Sequence, residues 1–271
     1  MADGPILVAS DLSSRADRPV DRAIRLGQQL GRPVCLVHVR DDEGEGGESE
    51  ELERFVRRNL PDGSDDIEIY LPSGSVAEEI AHTADEVDAA AIVCGVARFN
   101  NFYDYIIGTA VDAIISRASH SVVVVKQRPQ GEYRKLMVAI DFSDDSAHAA
   151  AAAVRLFPEA EITLVHAYKV AYEGLQQASH LRDETREEHE ASLAEFLARP
   201  ELAGLKGKAE SKLVYGDVGG ALLDASKELD PDLVVAGTHG AGAVRRATLG
   251  STASQMLQWL PYDMMVVPPD H

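Results

Sequence analysis

The second half of this chain repeats the first at a fixed offset, and that confines the fold more than any other feature. Gly74 in YLPSGSV answers to Gly216 in KLVYGDV, an offset of 142 (216 − 74). Gly95 and Gly237, Gly108 and Gly250, and the runs SVVVVK (121–126) and DMMVVP (263–268) keep that offset. Nearer the start of each copy, ILVASDLSS (6–14) returns as LMVAIDFSD (136–144), which matches Asp11 to Asp141. PVCLVHV returns as EITLVHA, matching His38 to His166. A register held at so many separate points reads as a tandem duplication. Two domains follow, 1–127 and 134–271, joined through QRPQGEYR.

Each copy alternates apolar runs with amphipathic stretches. VDRAIRLGQQL and SAHAAAAAVRLF space their apolar residues as one face of a helix does. The runs between them are rich in Val, Ile and Leu with little alternation, as strands buried on both faces are. This order predicts right-handed βαβ units, an α/β fold and an open, doubly wound parallel sheet. Ligands of such sheets bind beyond the C-terminal ends of strands, where the strand order reverses.

Composition closes off several classes of partner. No apolar run approaches the roughly 20 residues that cross a bilayer, and MADGPILVASDLSS has no basic stretch ahead of an apolar one, so neither a membrane nor a signal peptide is expected. Cys35 and Cys94 lie inside apolar runs and are expected to pack as small hydrophobes, which suits a reducing cytoplasm. Lys and Arg number 26 against 45 Asp and Glu, a net charge of -19. That field repels nucleic-acid backbones and anionic lipids; it favours solubility and would suit a salt-rich cytoplasm.

One segment carries the chemistry. GTHGAGAVRRATLGST (237–252) follows the apolar run LVVA. Gly237, Gly240, Gly242 and Gly250 allow the backbone to approach a ligand closely. Ser251 and Thr252 open the next helix, whose free N–H groups and dipole favour an anion. Arg245 and Arg246 lie where a guanidinium reaches phosphate oxygens. Neither GxxxxGK[ST] nor a GxGxxG at a first strand is present, so the loop is not one of those phosphate sites. A wholly architectural loop stays open on these residues alone.

MVAIDFSDDS, LVHA, GDV, GTHGAGAVRRATLGS and MMVVP together resemble the universal stress protein family in its tandem two-domain form, over nearly the whole chain. The loop spacing resembles that of the ATP-binding branch. The resemblance implies a five-stranded parallel sheet in each half, ordered 3-2-1-4-5 with helices on both faces, and paired domains that meet through their last strands. It implies that Ile140 and Asp141 sit at the adenosine end and that Ala167 lies near the adenine. Gly237, Gly240, Gly250, Ser251 and Thr252 would hold ribose and phosphates, with Mg accompanying ATP. Asp141, being followed by Ser143, also fits a plain helix cap.

The first copy keeps Gly95, Gly108 and Thr109, but Arg98 and Asn100 replace two loop glycines, and Tyr103 and Asp104 replace the arginines. A carboxylate at that point repels a triphosphate, so the first domain is expected to be structural. The function expected is that of a stress-response regulator binding ATP or another adenine nucleotide in its second domain, together with a protein partner. A slow ATP hydrolase and a nucleotide-independent scaffold stay open, as does a homodimer. His239 is the loop's candidate for orienting water, against the simpler reading of an ordinary loop residue. No catalytic residue and no protein metal site are assigned. His180 and His189 hint at a metal among acids, against the simpler expectation of a solvated helix face.

Overall fold

The computed structural model describes residues 4–13, 16–40, 46–96, 109–169, 178–240 and 249–269. The chain divides into two compact units. The first takes residues up to Glu132 together with Pro261–Pro268, and the second takes most of the remainder from Tyr133.

In the first unit the strands are β1 (Ile6–Ala9), β2 (Val34–Val37), β3 (Glu68–Tyr70), β4 (Ala91–Gly95) and β5 (Val122–Val125). Between them run α1 (Asp17–Leu30), α2 (Gly46–Asn59), α3 (Val76–Glu86) and α4 (Thr109–Arg117). The order is β3-β2-β1-β4-β5, all parallel, as the resemblance implies. A sixth strand, β10 (Asp263–Val267), pairs antiparallel with β5, so SVVVVK and DMMVVP do meet. Burial explains the lack of alternation in these runs. Ile6, Leu7, Val8, Ile92, Val93, Val123 and Val124 have no exposed surface, and each fully buried aliphatic side chain contributes about 1.5–3 kcal/mol.

The second unit holds β6 (Lys135–Ala139), α5 (Asp144–Leu156), β7 (Glu161–Tyr168), α6 (Ala178–Leu197) and a 3-10 helix (Pro200–Leu205). These are followed by β8 (Ala209–Tyr215), α7 (Val218–Leu229), β9 (Leu233–Gly237) and α8 (Ser251–Trp259). Its strands run β8-β7-β6-β9 in parallel, the 3-2-1-4 order of the first unit over again.

The duplication reaches the backbone. Leu12 (φ 55) and Phe142 (φ 65) both take the left-handed conformation one residue after the matched Asp11 and Asp141. Asp88 (φ 49) and Asp230 (φ 44) do so at the ends of α3 and α7. Helix faces match too: Val20, Ala23 and Leu26 of α1 are buried, as are Ala150, Ala153 and Leu156 of α5. Cys35 and Cys94 are free and buried, and burial pushes their thiols up to about 11 and about 12. They pack as hydrophobes, as their apolar surroundings predict.

Candidate functional site

In the second unit β7, β6 and β9 are neighbours, and Ile140, Asp141, Ala167, Gly237 and Gly240 lie at or just beyond their C-terminal ends. Ile140 is buried and extends β6, its N–H donating to the Val165 carbonyl at 2.9 Å. Asp141 comes next and organises the turn into α5. Its Oδ1 accepts from the Ser143 backbone N–H (3.1 Å) and from the Ser143 hydroxyl. Ser143 is the N-cap of α5, its oxygen accepting from the Ser146 N–H at 3.2 Å. The carboxylate therefore holds the capping serine and does not cap the helix itself, which refines the simple capping alternative.

Ala167 is half-buried in β7, with Val214 of β8 as its register partner. Residues of a parallel strand direct their N–H and C=O to alternate neighbours. The Val165 carbonyl bonds Ile140 on the β6 side, and the Tyr168 carbonyl bonds Gly216 on the β8 side. By this alternation Ala167 turns its backbone groups toward β6, beyond that strand's last residue, Ala139. A donor and an acceptor face the space beyond β6 there.

Three of the glycines sit tightly against protein. A Cβ on Gly237 would lie 3.0 Å from the Asp145 carbonyl oxygen. On Gly240 it would lie 2.6 Å from Asp141 Oδ2, and on Gly250 it would lie 2.8 Å from the Thr238 carbonyl oxygen. All three distances are shorter than ordinary van der Waals contact. The Gly250 N–H donates to that same Thr238 carbonyl at 2.7 Å, which pins the two ends of the loop together. His239 contacts the Thr238 hydroxyl at 3.0 Å and lies 3.8 Å from Asp145, so it fixes the loop base to the start of α5. Ser251 and Thr252 open α8 as expected. Gly250 is its N-cap and, being glycine, has no side chain with which to cap the first turn. Arg245, Arg246 and Gly242 lie outside the described residues, as do Arg98, Asn100, Tyr103, Asp104 and Gly108 of the first copy.

Sequence reasoning missed the wall beside Asp141. Phe142 stacks on His166 with ring centroids 4.1 Å apart, and Phe196 lies 5.8 Å from Phe142. His189 of α6 stands 4.8 Å from both His166 and Tyr168. It is therefore part of this aromatic cluster, which corrects the expectation of a solvated face; the His180 side chain lies outside the described residues. Among the described residues no group of three or more His, Cys, Asp or Glu is placed to hold a metal.

Hydrogen bonding fixes the protons in this wall. The Ile140 carbonyl can only accept, so His166 Nδ1, 2.9 Å away, carries a proton. Neutral His166 then offers Nε2 as acceptor, and His189 Nδ1, at 3.1 Å, donates to it. Burial lowers the His166 pKa, which keeps the ring neutral. The Arg199 guanidinium donates to the Phe142 carbonyl (2.8 Å) and to Asp144 (2.9 Å), tying the strained turn to the end of α6. The signal for Phe142 was present in the repeat, where Leu12 is its match; His189 and Arg199 carry no such signal.

The first unit repeats the frame, with Leu12 in the place of Phe142. Asp11 Oδ1 accepts from the Ser13 N–H at 3.0 Å, and His38 Nδ1 meets the Ser10 carbonyl at 2.9 Å. Between α1 and α2 an open pocket of about 500 Å³ is lined by Leu12, Asp17, Val20, Asp21, Phe55 and Asn59, a mixed polar and apolar set.

Relatives carry the same unit. A model of the universal stress protein family matches residues 4–126 and again 132–268. Universal stress protein YxiE of Bacillus subtilis is 30% identical over 146 residues, covering 50% of this chain and 99% of its own length. The universal stress protein A homolog of Pasteurella multocida is 31% identical over 146 residues, covering 50% of this chain and 96% of its own. A solved universal stress protein from Archaeoglobus fulgidus superposes over 99% of this chain and 100% of its own with a TM-score of 0.71, at 17% identity. A functionally unknown protein from Pseudomonas aeruginosa superposes over 98% of this chain and 92% of its own with a TM-score of 0.68, also at 17% identity. Identities that low speak for the shared fold, whereas the two family matches span nearly all of the sequence. The chain belongs to the universal stress protein family and carries its domain twice.

Proposed function

We propose that the chain is a stress-response regulator whose second repeat binds ATP or another adenine nucleotide, while the first repeat serves structurally. The observation that carries this reading is the convergence of three binding features at one edge. Gly240 lies against the Asp141 carboxylate. The Ala167 backbone groups face the gap beyond β6, and α8 opens on Gly250, which has no side chain to cap it. An adenine needs a backbone donor and acceptor, a ribose needs a carboxylate, and phosphates need a helix N-terminus. Asp141 would take the ribose hydroxyls, Ala167 the adenine edge, and Gly250, Ser251 and Thr252 the phosphates. Arg245 and Arg246 join them on sequence alone.

Mg²⁺ fits this arrangement only as a companion of the phosphates. No cluster of protein ligands surrounds the crevice among the described residues, and Mg²⁺ is commonly held by one carboxylate and phosphate oxygens. What supports regulation over turnover is that His239, the candidate for orienting water, is engaged with Thr238 and Asp145. Ligand binding would instead stabilise the second unit by mass action, about 2.7 kcal/mol at a hundredfold excess over Kd.

The test is a thermal-shift series with ATP and Mg²⁺ on the wild type and on Asp141→Asn. The amide oxygen of the variant can still accept from Ser143, so folding is retained, but the charge offered to the ribose is gone. The expected result is a dose-dependent rise in Tm for the wild type, with the midpoint moved about tenfold higher in ATP for the variant. Equal midpoints would remove Asp141 from the site.

A further inference from the structure

Three charged side chains are buried together where β10 joins the first unit. Asp263 is 1% exposed, Lys126 1% and Arg22 6%. Asp263 Oδ1 accepts from the Lys126 backbone N–H (2.7 Å) and the Gln127 backbone N–H (2.9 Å), and Oδ2 lies 3.3 Å from Arg22 Nε. Arg22 Nη1 also donates to the Gly131 carbonyl at 2.7 Å. Burial pulls the Lys126 ammonium down to about 7 while the Asp263 carboxylate supports its charge. Charges this deep are tolerated only with partners, and losing one partner costs far more than the pair gains.

The cluster is one-sided with respect to the repeat. In the strand pairing Val123 lies opposite Met265, its own counterpart at the offset of 142, with Val124 opposite Met264 and Val122 opposite Val266. Two first repeats meeting through β5 in this register would therefore put Val123 opposite Val123. Ser121 would then stand where Asp263 stands, leaving Arg22 and Lys126 buried without a carboxylate. Two second repeats would fare no better. There Pro268 replaces Lys126, and Ala152, the match of Arg22 at the offset of 130 (141 − 11) that holds early in each copy, offers Asp263 no cation.

We propose that Arg22, Lys126 and Asp263 form a pairing code: the β5 edge of a first repeat accepts the last strand of a second repeat and rejects another β5. The strand that fits is one with a carboxylate two residues before the position facing Val123. This reading does not depend on nucleotide binding.

The test uses the full chain with Asp263→Ser, which installs the residue of the first repeat. Hydrogen–deuterium exchange of amides 122–126 is expected to quicken at least about tenfold, while the amides of β6 and β7 stay protected. Excess peptide PYDMMVVP (261–268) should slow that exchange again, whereas SHSVVVVK (119–126) and PYDMMVVP with its Asp changed to Ser should not. Unchanged exchange in the variant, protection by the serine-bearing peptides, or protection by none of the three would overturn the proposal. Should Asp263→Ser not fold, the triple variant Arg22→Met, Lys126→Met, Asp263→Ser decides. Without any buried charge it should exchange as the wild type does, and fast exchange there would equally overturn the code.

Discussion

Phe142 shows how much of the site is set by single residues. Its left-handed backbone (φ 65) is unfavourable for a bulky side chain, and such strain persists only where the surroundings over-determine it. Here they do: Asp141 holds Ser143 on one side, Arg199 holds the Phe142 carbonyl, and His166 stacks on the ring. Gly240 lies directly against Asp141. A single methyl there meets Asp141 Oδ2 at 2.6 Å, so Gly240→Ala should displace the carboxylate and weaken nucleotide binding at least about tenfold. Calorimetry would read that loss, and unchanged affinity would show that Asp141 need not be fixed. His166 gives a pH dependence with a definite sign. Its folded pKa lies below 6.5, so between the two values the unfolded chain binds the additional proton. The contribution is intact above pH 6.5 and is lost as pH falls through the folded value. His166→Gln should flatten that part of the stability profile in urea titrations.

Asp141 and the glycines were legible because they recur between copies or punctuate a strand end. The histidine pair was not. His189 reaches His166 across 23 residues through the docking of α6, and no periodicity in a helix crowded with Glu and Arg marks which turn faces inward.

At the scale of elements, α7 and α8 show two opposite uses of glycine. Gly220 lies in α7 with open space where a Cβ would go, whereas Gly219 would drive its Cβ to 2.8 Å from the Trp259 ring. Gly220→Ala should therefore stabilise the second unit by about 0.5–1 kcal/mol, and Gly219→Ala should not; urea denaturation of both separates the cases. The strand pair β5–β10 carries its own titration. Lys126 has a folded pKa of about 7 against 10.5 in the unfolded chain, so the native state releases its proton first. Stability should rise with pH across that window, and Lys126→Met should remove the rise. The strand order within each copy was readable from alternation and handedness, since right-handed crossovers leave few arrangements. The residues buried around β10 were not, because they join segments more than 130 positions apart, as the bond from Lys126 to Asp263 does.

The molecule as a whole is two copies of one unit that have diverged in their chemistry: charge buried at β10 in one, an aromatic wall beside the crevice in the other. Its net charge of -19 opposes any anionic ligand at long range. Binding of a nucleotide must therefore rest on local groups, and only the second copy keeps the full glycine pattern. Calorimetric titration of the nucleotide-free protein with ATP and Mg²⁺ tests this most directly, read for the number of sites. One site per chain is the predicted result. Two sites would show that Arg98 and Asp104 leave the first copy competent, and no binding would contradict the nucleotide reading of the crevice altogether.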